Sequence, residues 1–242
     1  MKPQKISIVY VDDAFIIVNK PPGVLTIPDR FDETKLNIYR HLQESYGDVF
    51  IVHRLDRETS GILCFARTED AHRELNRQFR EREVDKTYAV LVQGSVIAEA
   101  GRIENYLNEH PNIPGRMIVV KQLGKKSITE WCVTERFKNY TLLDANIKTG
   151  RQHQIRVHFM DMGHPLAIDP MYAKKDAMYL SEVKRKYKPP LLEAEPPLMS
   201  RLTLHARHLR LTHPTTGEVM EFAAELPKDF EAILQQLRRW GK

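Results

Sequence analysis

The sequence predicts an α+β fold in which a few helices flank a mostly antiparallel central sheet. Strand-like segments follow one another along the chain, and only four segments show helical periodicity. Strands that follow one another without intervening helices pair most readily as antiparallel neighbours. The chain has 242 residues, 42% of them hydrophobic and 29% charged, which is ordinary for a globular protein that buries a substantial core.

Two strands and a helix open the chain. Residues 6–10 and 15–19 are apolar runs on either side of a turn at residues 12–13, which is typical of a hairpin. A helical period over residues 34–46 is followed by a glycine and predicts the first helix. The wholly apolar run at residues 62–66 predicts a buried strand.

A second helix and more strands follow in the middle of the chain. Thr68 is a candidate N-cap for a helix that extends to residue 81 and carries one apolar face. Residues 87–93 alternate between two faces and predict a strand that includes Tyr88. Further strands are predicted at residues 117–120, 127–137 and 140–147.

The last part of the chain combines two helices with a hairpin. Residues 151–162 predict a short helix with an apolar face, and residues 229–240 predict a basic amphipathic helix. The strands at residues 203–211 and 218–224 are predicted to pair across a turn rich in proline, threonine and glycine.

Residues 173–200 form the one irregular segment. They include four prolines and a basic cluster, and they predict a surface insertion. The sequence leaves open whether this segment binds a partner or is only solvated. The basic cluster consists of Lys184, Arg185, Lys186 and Lys188.

Charge and cysteine content limit the possible partners and location. The 37 Lys and Arg residues exceed the 32 Asp and Glu residues, and this excess favours an anionic partner such as nucleic acid. Cys64 and Cys132 are too few for a disulfide framework, which favours a reducing compartment. With no signal peptide and no apolar run long enough for a bilayer, we expect a soluble cytoplasmic protein without a membrane partner.

Residues 53–61 read His-Arg-Leu-Asp-Arg-Glu-Thr-Ser-Gly and form the most informative segment. Asp56 lies between Arg54 and Arg57, and neighbouring positive charge favours an ionised carboxylate. An ionised aspartate in a basic site can act as a nucleophile or base on a polyanion such as RNA. The alternative is that both arginines only form surface ion pairs with Asp56 and Glu58.

Residues 149–158 collect two arginines, two histidines and two amides in a transition from turn to helix. The turn at Gly150 can present Arg151 and the helix N-terminus to an anion. A zinc site is disfavoured because His153 and His158 are five residues apart, whereas a helical zinc site uses a spacing of four. The remaining alternative is a polar helix start whose histidines are hydrogen-bonded.

Tyr88 also has two interpretations. An aromatic residue in an alternating strand most often packs in the core. If a base must be flipped out of an RNA stack, however, a buried ring is a suitable platform for it.

Taken in chain order, these segments resemble the RluA-type family of RNA pseudouridine synthases. They are similar to the family's first strand and loop, its catalytic motif, its tyrosine strand, its arginine motif and its C-terminal segment. The resemblance covers residues 6–227 and implies the pseudouridine synthase fold, with a catalytic cleft across the sheet. The matching segments are residues 15–23, 53–61, 86–94, 150–158 and 204–214.

The resemblance implies an isomerase that converts specific uridines of structured RNA (rRNA, tRNA or both) to pseudouridine without a cofactor or metal. Asp56 is implied to be the nucleophile that allows the glycosidic bond to break. Tyr88 is implied to pack on the target base and to help remove the proton from carbon 5. Arg151 is implied to pair with Asp56 and to keep it charged.

Contacts with the substrate are implied for five further residues. Arg54 is similar to the arginine that fills the gap left by a flipped nucleotide. Leu204 is similar to an apolar residue that lines the uracil pocket. The other candidates for substrate binding are His53, Arg57 and Gln154.

The resemblance also bears on domain organisation. Residues 1–242 are predicted to form a single catalytic domain, without a separate N-terminal RNA-binding domain, that recognises RNA itself and acts as a monomer. One departure from the family pattern is Ile168, which stands where the family has a glycine ahead of Asp169.

Three other functions fit parts of the pattern. An RNA-binding protein without activity is disfavoured because Asp56, Tyr88 and Arg151 occur together. A phosphotransferase is disfavoured because the leucine in His-Arg-Leu-Asp shifts the kinase register, and neither a glycine-rich phosphate loop nor Asp-Phe-Gly follows. A glycosidase usually needs a second carboxylate, and the sequence offers no obvious partner for Asp56.

Overall fold

A computed structural model of the protein describes residues 6–29, 31–32, 34–187 and 194–241. These residues form two compact units, each built from non-contiguous segments. The first unit comprises the described residues through Tyr88 together with His205–Glu225. The second comprises Ala89–Leu204 and the described residues from Leu226 onward.

Strands outnumber helices in the described residues, as the sequence predicts. The strands are β1 (Ser7–Val11), β2 (Phe15–Lys20), β3 (Phe50–Ile51), β4 (Ser60–Ala66), β5 (Asp85–Gln93), β6 (Ala100–Glu109), β7 (Met117–Val120), β8 (Lys125–Arg136), β9 (Tyr140–Ile147), β10 (Leu204–Thr212) and β11 (Val219–Ala223). The helices are α1 (Ile38–Tyr46), α2 (Glu69–Glu81), α3 (Gln154–Asp161), α4 (Leu180–Val183) and α5 (Lys228–Trp240).

In the first unit, β4 is a central strand with all seven residues buried. It pairs antiparallel with β2 on one side and parallel with β10 on the other. Strand β1 extends the sheet beyond β2, and β11 extends it beyond β10. The close approach of β10 requires a glycine, because a Cβ at Gly61 would lie 2.1 Å from the carbonyl oxygen of Ala206.

The sheet is therefore mixed, which corrects the prediction of a mostly antiparallel sheet. Strands β4 and β10 are parallel because the chain between them first builds most of the second unit. Parallel neighbours need such a long connection. The alternation of apolar residues shows which face of a strand is buried, but it contains no information about strand direction.

Helix α2 covers the core of the first unit. The hydroxyl of Thr68 accepts a hydrogen bond from the backbone N–H of Ala71 (3.1 Å), which confirms the predicted N-cap. The side chain of Gln78 bonds both backbone groups of Thr212, at 2.9 and 3.0 Å, and so attaches the helix to β10.

Two predicted helices begin later than expected. Helix α1 begins at Ile38 rather than at residue 34, because Asn37 is extended and its side chain caps the backbone N–H of Arg40 at 2.9 Å. Helix α3 begins at Gln154 rather than at residue 151, because His153 has a left-handed backbone with φ 54°.

The second unit contains an antiparallel arrangement in the order β9, β8, β6, β7. Strand β6 is absent from the sequence prediction, because its exposed face mixes charged, polar and aromatic residues and Leu107 is the one buried residue of the strand. Helix α5 packs on a core that includes Phe137 and Tyr140 of the same unit. Its own core residues are Phe230, Ile233, Leu234 and Leu237.

The predicted insertion at residues 173–200 is described except for residues 188–193, so Lys188 of its basic cluster lies outside the described residues. Met178, Val183 and Met199 from this segment belong to the same core as α5. The surface position of the insertion and the single-domain organisation stay predictions. In the described part of the chain, we find no helix with the length and apolar character needed to cross a membrane.

Candidate active site

The loop that carries Asp56 connects β3 and β4, and its backbone is fixed on both sides of the carboxylate. The backbone N–H of Thr59 donates to the carbonyl of Asp56 (3.1 Å) and closes a turn. Before Asp56, the hydroxyl of Thr26 donates to the carbonyl of Leu55 (3.0 Å) and accepts from its N–H (3.2 Å). A loop fixed in this way holds its side chains in position for chemistry.

A buried lysine attaches the same loop to the Lys-Pro-Pro-Gly segment. The ammonium of Lys20 donates to the carbonyls of Val24 (2.7 Å), Arg57 (2.9 Å) and Pro21 (3.0 Å), and its residue is 0% exposed. The backbone N–H of Gly23 also donates to the carbonyl of Arg57, at 2.9 Å. A buried charge is tolerated only when such polar groups replace water. Lys20 therefore positions the loop that carries Asp56, a role that the sequence did not predict.

The two motif arginines lie at the surface of the first unit. Arg57 donates from Nε to the carbonyl of Gly23 (3.0 Å) and lies 3.6 Å from the carboxylate of Glu58. Both partners of this ion pair are exposed, so it contributes little stability. Arg54 is exposed as well. The surface ion-pair interpretation thus holds for Arg57 with Glu58.

His53 is engaged by the protein itself. Its Nε2 accepts a hydrogen bond from the backbone N–H of Cys64 (3.0 Å), which requires that nitrogen to be unprotonated. Its ring stacks on Phe79 with the centroids 4.8 Å apart. Burial, together with the charge of Lys86, lowers the pKa of His53 to about 3. His53 is therefore neutral at physiological pH and supports the motif structurally.

Tyr88 lies on β5 in the same unit as Asp56 and is only 7% exposed. Burial raises the pKa of its phenol, and the charge of Asp56 raises that pKa further. The phenol is therefore protonated at neutral pH.

Lys86 is a further cation on this strand that sequence reasoning left unassigned. It precedes Tyr88 by two residues, so both side chains leave the same face of β5. Its ammonium lies 5.0 Å from the centroid of the Phe79 ring, and it forms no ion pair with an Asp or Glu of the described residues. Burial lowers the pKa of Lys86 to about 8.

In the second unit, Gln154 organises the turn before α3. Its Oε1 accepts from the hydroxyl of Thr149 (2.7 Å) and from the backbone N–H of Arg151 (3.1 Å). Its Nε2 donates to the carbonyl of Ile128 at 3.0 Å. Gln154 is 3% exposed, so these contacts place it in the scaffold of the turn. Its predicted role in substrate binding stays a prediction.

The two arginines of this segment differ sharply in environment. Arg151 is exposed, and its Nε donates to the backbone carbonyl of Lys126 at 3.2 Å. Arg156 is 7% exposed and forms two bonds with the carboxylate of Asp169, at 2.7 and 2.9 Å. Sequence reasoning selected Arg151 and missed this buried pair. Its signal in the sequence is the position of Arg156 between two apolar residues, Ile155 and Val157.

Asp169 also closes the turn in which Ile168 replaces the expected glycine. Its Oδ1 accepts from the backbone N–H groups of Met171 (2.9 Å) and Tyr172 (3.0 Å). Ile168 is fully buried, and its N–H donates to the hydroxyl of Thr203 at 3.3 Å. The turn is therefore formed with isoleucine at this position.

The two histidines of the arginine motif are also unlike. His153 bonds through Nδ1 to the hydroxyl of Tyr172 at 3.0 Å, which fits the hydrogen-bonded alternative. His158 is 0% exposed, and neither of its ring nitrogens has a hydrogen-bond partner among the described residues. Burial lowers the pKa of His158 to about 4, so its imidazole is neutral. The described residues contain no group of three or more potential metal ligands.

The predicted site residues divide between the two units. Asp56 and Tyr88 lie in the first unit together with His53, Arg54 and Arg57, whereas Arg151, Gln154 and Leu204 lie in the second. Leu204 is 4% exposed at the start of β10. The pairing of Arg151 with Asp56, the role of Leu204 in a uracil pocket and the cleft across the sheet stay predictions.

Sequence comparison places this arrangement among known proteins. The sequence model of the RNA pseudouridylate synthase family matches residues 14–161. Ribosomal large subunit pseudouridine synthase D of Neisseria meningitidis serogroup B shares 38% sequence identity with this chain, and the match covers 98% of this chain. The present chain spans 62% of the length of that relative. Dual-specificity RNA pseudouridine synthase RluA of Yersinia pestis is 37% identical, and the match covers 90% of this chain and 98% of that relative.

Solved structures show the same fold. The human RNA Pseudouridylate Synthase Domain Containing 1 is 27% identical, with a TM-score of 0.68 and coverage of 98% of both chains. The human RNA Pseudouridylate Synthase Domain Containing 4 is 24% identical, with a TM-score of 0.71, and covers 96% of this chain and 93% of that chain. The matched sequence pattern and the curated relatives establish that this chain belongs to the RNA pseudouridylate synthase family.

Proposed function

We propose that this protein isomerises uridine to pseudouridine in RNA and that Asp56 is the nucleophile. The observation that carries the proposal is the position of Asp56, on a loop whose backbone is hydrogen-bonded on both sides and in the same unit as the buried Tyr88. Membership of the family supports the reaction type. Because several relatives are named for the large ribosomal subunit, we propose large-subunit rRNA as substrate and keep tRNA as a second substrate to test.

The chemistry balances without a cofactor. The Asp56 carboxylate adds to the uridine, either at the base or at the ribose, and the bond between N1 and C1′ breaks. The uracil then rotates, and a bond forms between C5 and C1′. The proton on C5 leaves, N1 gains a proton, and Asp56 is released as a carboxylate. The product is an isomer of the substrate, so no oxidant or reductant takes part.

Tyr88 supports this reaction as a platform. A buried ring offers a flat apolar surface for a base that has left the RNA stack. Because its pKa is raised, the phenol contributes a neutral surface beside the carboxylate and adds no second negative charge to the site. In this proposal Tyr88 takes part in removal of the C5 proton only as a hydrogen-bonding phenol.

We propose Arg151 as the cation that supports Asp56 in the reaction, as the family resemblance implies. Arg156 is the matched comparison, since it belongs to the same segment and is buried beside Asp169. We expect replacement of Arg151 by methionine to lower the rate constant of a single turnover and to leave the fold intact. A full rate for Arg151→Met would assign the supporting charge to another residue.

The reaction is tested with unmodified transcripts. Large-subunit rRNA and tRNA, synthesised with tritium at C5 of uridine, release tritium to water only when C5 becomes the glycosidic carbon. Chemical mapping of pseudouridine in the same RNA then identifies the position. The proposal expects tritium release by the natural protein and none by Asp56→Asn. RNA binding without release by the natural protein would support the inactive RNA-binding alternative. The proposed cytoplasmic location and monomeric state need separate measurements.

A further inference from the structure

The connection between β7 and β8 crosses over β6. Tyr106 of β6 faces Val120 at the end of β7 and Lys126 near the start of β8. Gly124 lies directly on β6, since a Cβ there would be 2.9 Å from the Cβ of Tyr106 and 2.6 Å from a methyl carbon of Val120. Residues 121–124, the crossing loop, therefore lie on the face of β6 that carries the Tyr106 side chain.

The crossing loop presents a leucine to solvent in an unfavourable backbone conformation. Leu123 has a left-handed backbone with φ 59°, and its residue is 95% exposed. The amide of Asn108 donates to the carbonyl of Leu123 (3.3 Å) and helps to hold this conformation. Left-handed geometry is costly for a residue with a branched side chain, and an exposed leucine gains no burial in return. Leu123 therefore lowers the stability of the fold as it stands. Contact with a bound ligand would bury this side chain and explain why a leucine occupies the position.

Positive charge surrounds this leucine. Lys121 and Lys125 are exposed on either side of it, and neither forms an ion pair with another described residue. Lys126 follows, paired with Glu104 at 2.5 Å. The ring of Tyr106 is 46% exposed beside the loop. Cations interleaved with exposed apolar and aromatic side chains are the surface chemistry that binds single-stranded RNA.

We propose that the crossing loop is an RNA-contact surface, in which Lys121 and Lys125 bind backbone phosphates and Leu123 packs against an unpaired base. The proposal rests on the proposed function in that the bound RNA is the substrate. A phosphate chain is the occupant that fits, because the unpaired charges at the loop are of one sign and lie on both sides of an apolar side chain.

The test compares three variants with the natural protein on an unmodified transcript of large-subunit rRNA. Leu123→Gly removes the apolar side chain and relieves the left-handed strain. Lys121→Ala combined with Lys125→Ala removes the two cations. The matched control combines Ile97→Ala with Lys138→Ala, at an exposed isoleucine and an exposed lysine of the same unit. Dissociation constants are measured over a range of salt concentrations, and melting temperatures and tritium release are measured in parallel.

We expect Leu123→Gly to raise the melting temperature and also to raise the dissociation constant, by about threefold or more. A residue with a purely structural role cannot produce both changes. In the double lysine variant, log affinity should fall less steeply with log salt, with a slope less negative by about 1.4 to 1.8, the value for two lost phosphate contacts. The rate at saturating RNA should stay unchanged in every variant.

Unchanged affinity of Leu123→Gly, or equal weakening by the control variant, overturns the proposal. The proposed function fails in a different way. If the natural protein binds RNA through the crossing loop but releases no tritium from it, the proposed contact surface is supported and the proposed isomerase activity is contradicted.

Discussion

The two motif segments of this protein are fixed by opposite means. Around Asp56, the support comes from outside the motif, through Lys20, Gly23 and Thr26, and the motif's own arginines are exposed. In residues 149–158, the support comes from inside, since Gln154 bonds the turn and Arg156 is buried. The first segment thus has exposed arginines on a fixed loop, whereas one arginine of the second segment, Arg156, is buried in an ion pair that stabilises the fold.

This difference shows that residue type alone does not separate chemistry from support. Arg151 and Arg156 are five positions apart in one segment, yet one is exposed and the other forms a buried ion pair. Lys20 stands in the sequence at the end of an apolar strand, yet its ammonium donates a hydrogen bond to the loop that carries Asp56. Variants at these positions test whether exposed and buried charges differ in this way.

The largest effect on stability is expected for Arg156→Met. This variant leaves Asp169 buried without its partner, which typically costs about 3–5 kcal/mol. Arg151→Met at the exposed position should change the free energy of unfolding by less than about 0.5 kcal/mol. Urea denaturation of both variants measures the contrast. Equal losses would mean that the two arginines do not differ as their exposure indicates.

The second largest effect on the free energy of unfolding is expected at acid pH, and it comes from His158 of the second unit. Burial lowers the pKa of His158 to about 4, so below pH 6.5 the unfolded chain binds a proton that the folded protein does not. Stability is therefore full above pH 6.5 and is lost as the pH falls toward 4, by up to about 3 kcal/mol. His158→Leu should flatten this part of the pH profile of unfolding.

His53 extends the same comparison to the first unit. Its pKa is lowered to about 3, so its share of the acid destabilisation continues to a lower pH than that of His158. A pH profile of His158→Leu that matches the natural protein between pH 6.5 and 4 would show that His158 is not buried in neutral form.

Lys20→Met should have a smaller effect on stability and a clear effect on turnover. It removes hydrogen bonds from the ammonium to three carbonyls and should cost about 2–3 kcal/mol. Because the loop loses its attachment, we expect kcat to fall while KM for RNA changes little. Lys35→Met is the matched control, since Lys35 is exposed and pairs with Asp29 at the surface. A parallel fall in kcat in both variants would argue against a positioning role.

The smallest effect is expected for Glu58→Gln. The ion pair of Glu58 with Arg57 is exposed at a distance of 3.6 Å, so its loss should change the free energy of unfolding by less than about 0.5 kcal/mol. Thermal and urea unfolding measure this change. A loss above about 1 kcal/mol would show that the arginines of the Asp56 segment are structural after all.

Local signals predicted much of the fold. The cap at Thr68 and the bounds of β7 and β9 depend on residues that are close together in the sequence, so a local pattern predicts them. The direction of β10 relative to β4 depends on where the chain goes in between, and no local pattern records it. Strand β6 was missed because Leu107 is its one buried residue, so its sequence shows little apolar alternation.

The site was predictable to a similar degree. The charged motif identified the Asp56 loop, and the alternation of β5 placed Tyr88 on a buried face. Lys20 and Arg156 bind partners that are distant in sequence, and a single sequence does not identify such partners, although the apolar neighbours of Arg156 indicate that it is buried. Resemblance to a family selected Arg151, and only burial distinguishes it from Arg156.

The central claim, that Asp56 is the nucleophile, is tested most directly by single-turnover tritium release with Asp56→Asn. RNA binding and the melting temperature of the variant are measured alongside, so that a folding defect is recognised. We predict that the rate falls by about a thousandfold or more while RNA affinity stays within about threefold of the natural protein. Release by Asp56→Asn at a rate within tenfold of the natural protein would contradict the claim.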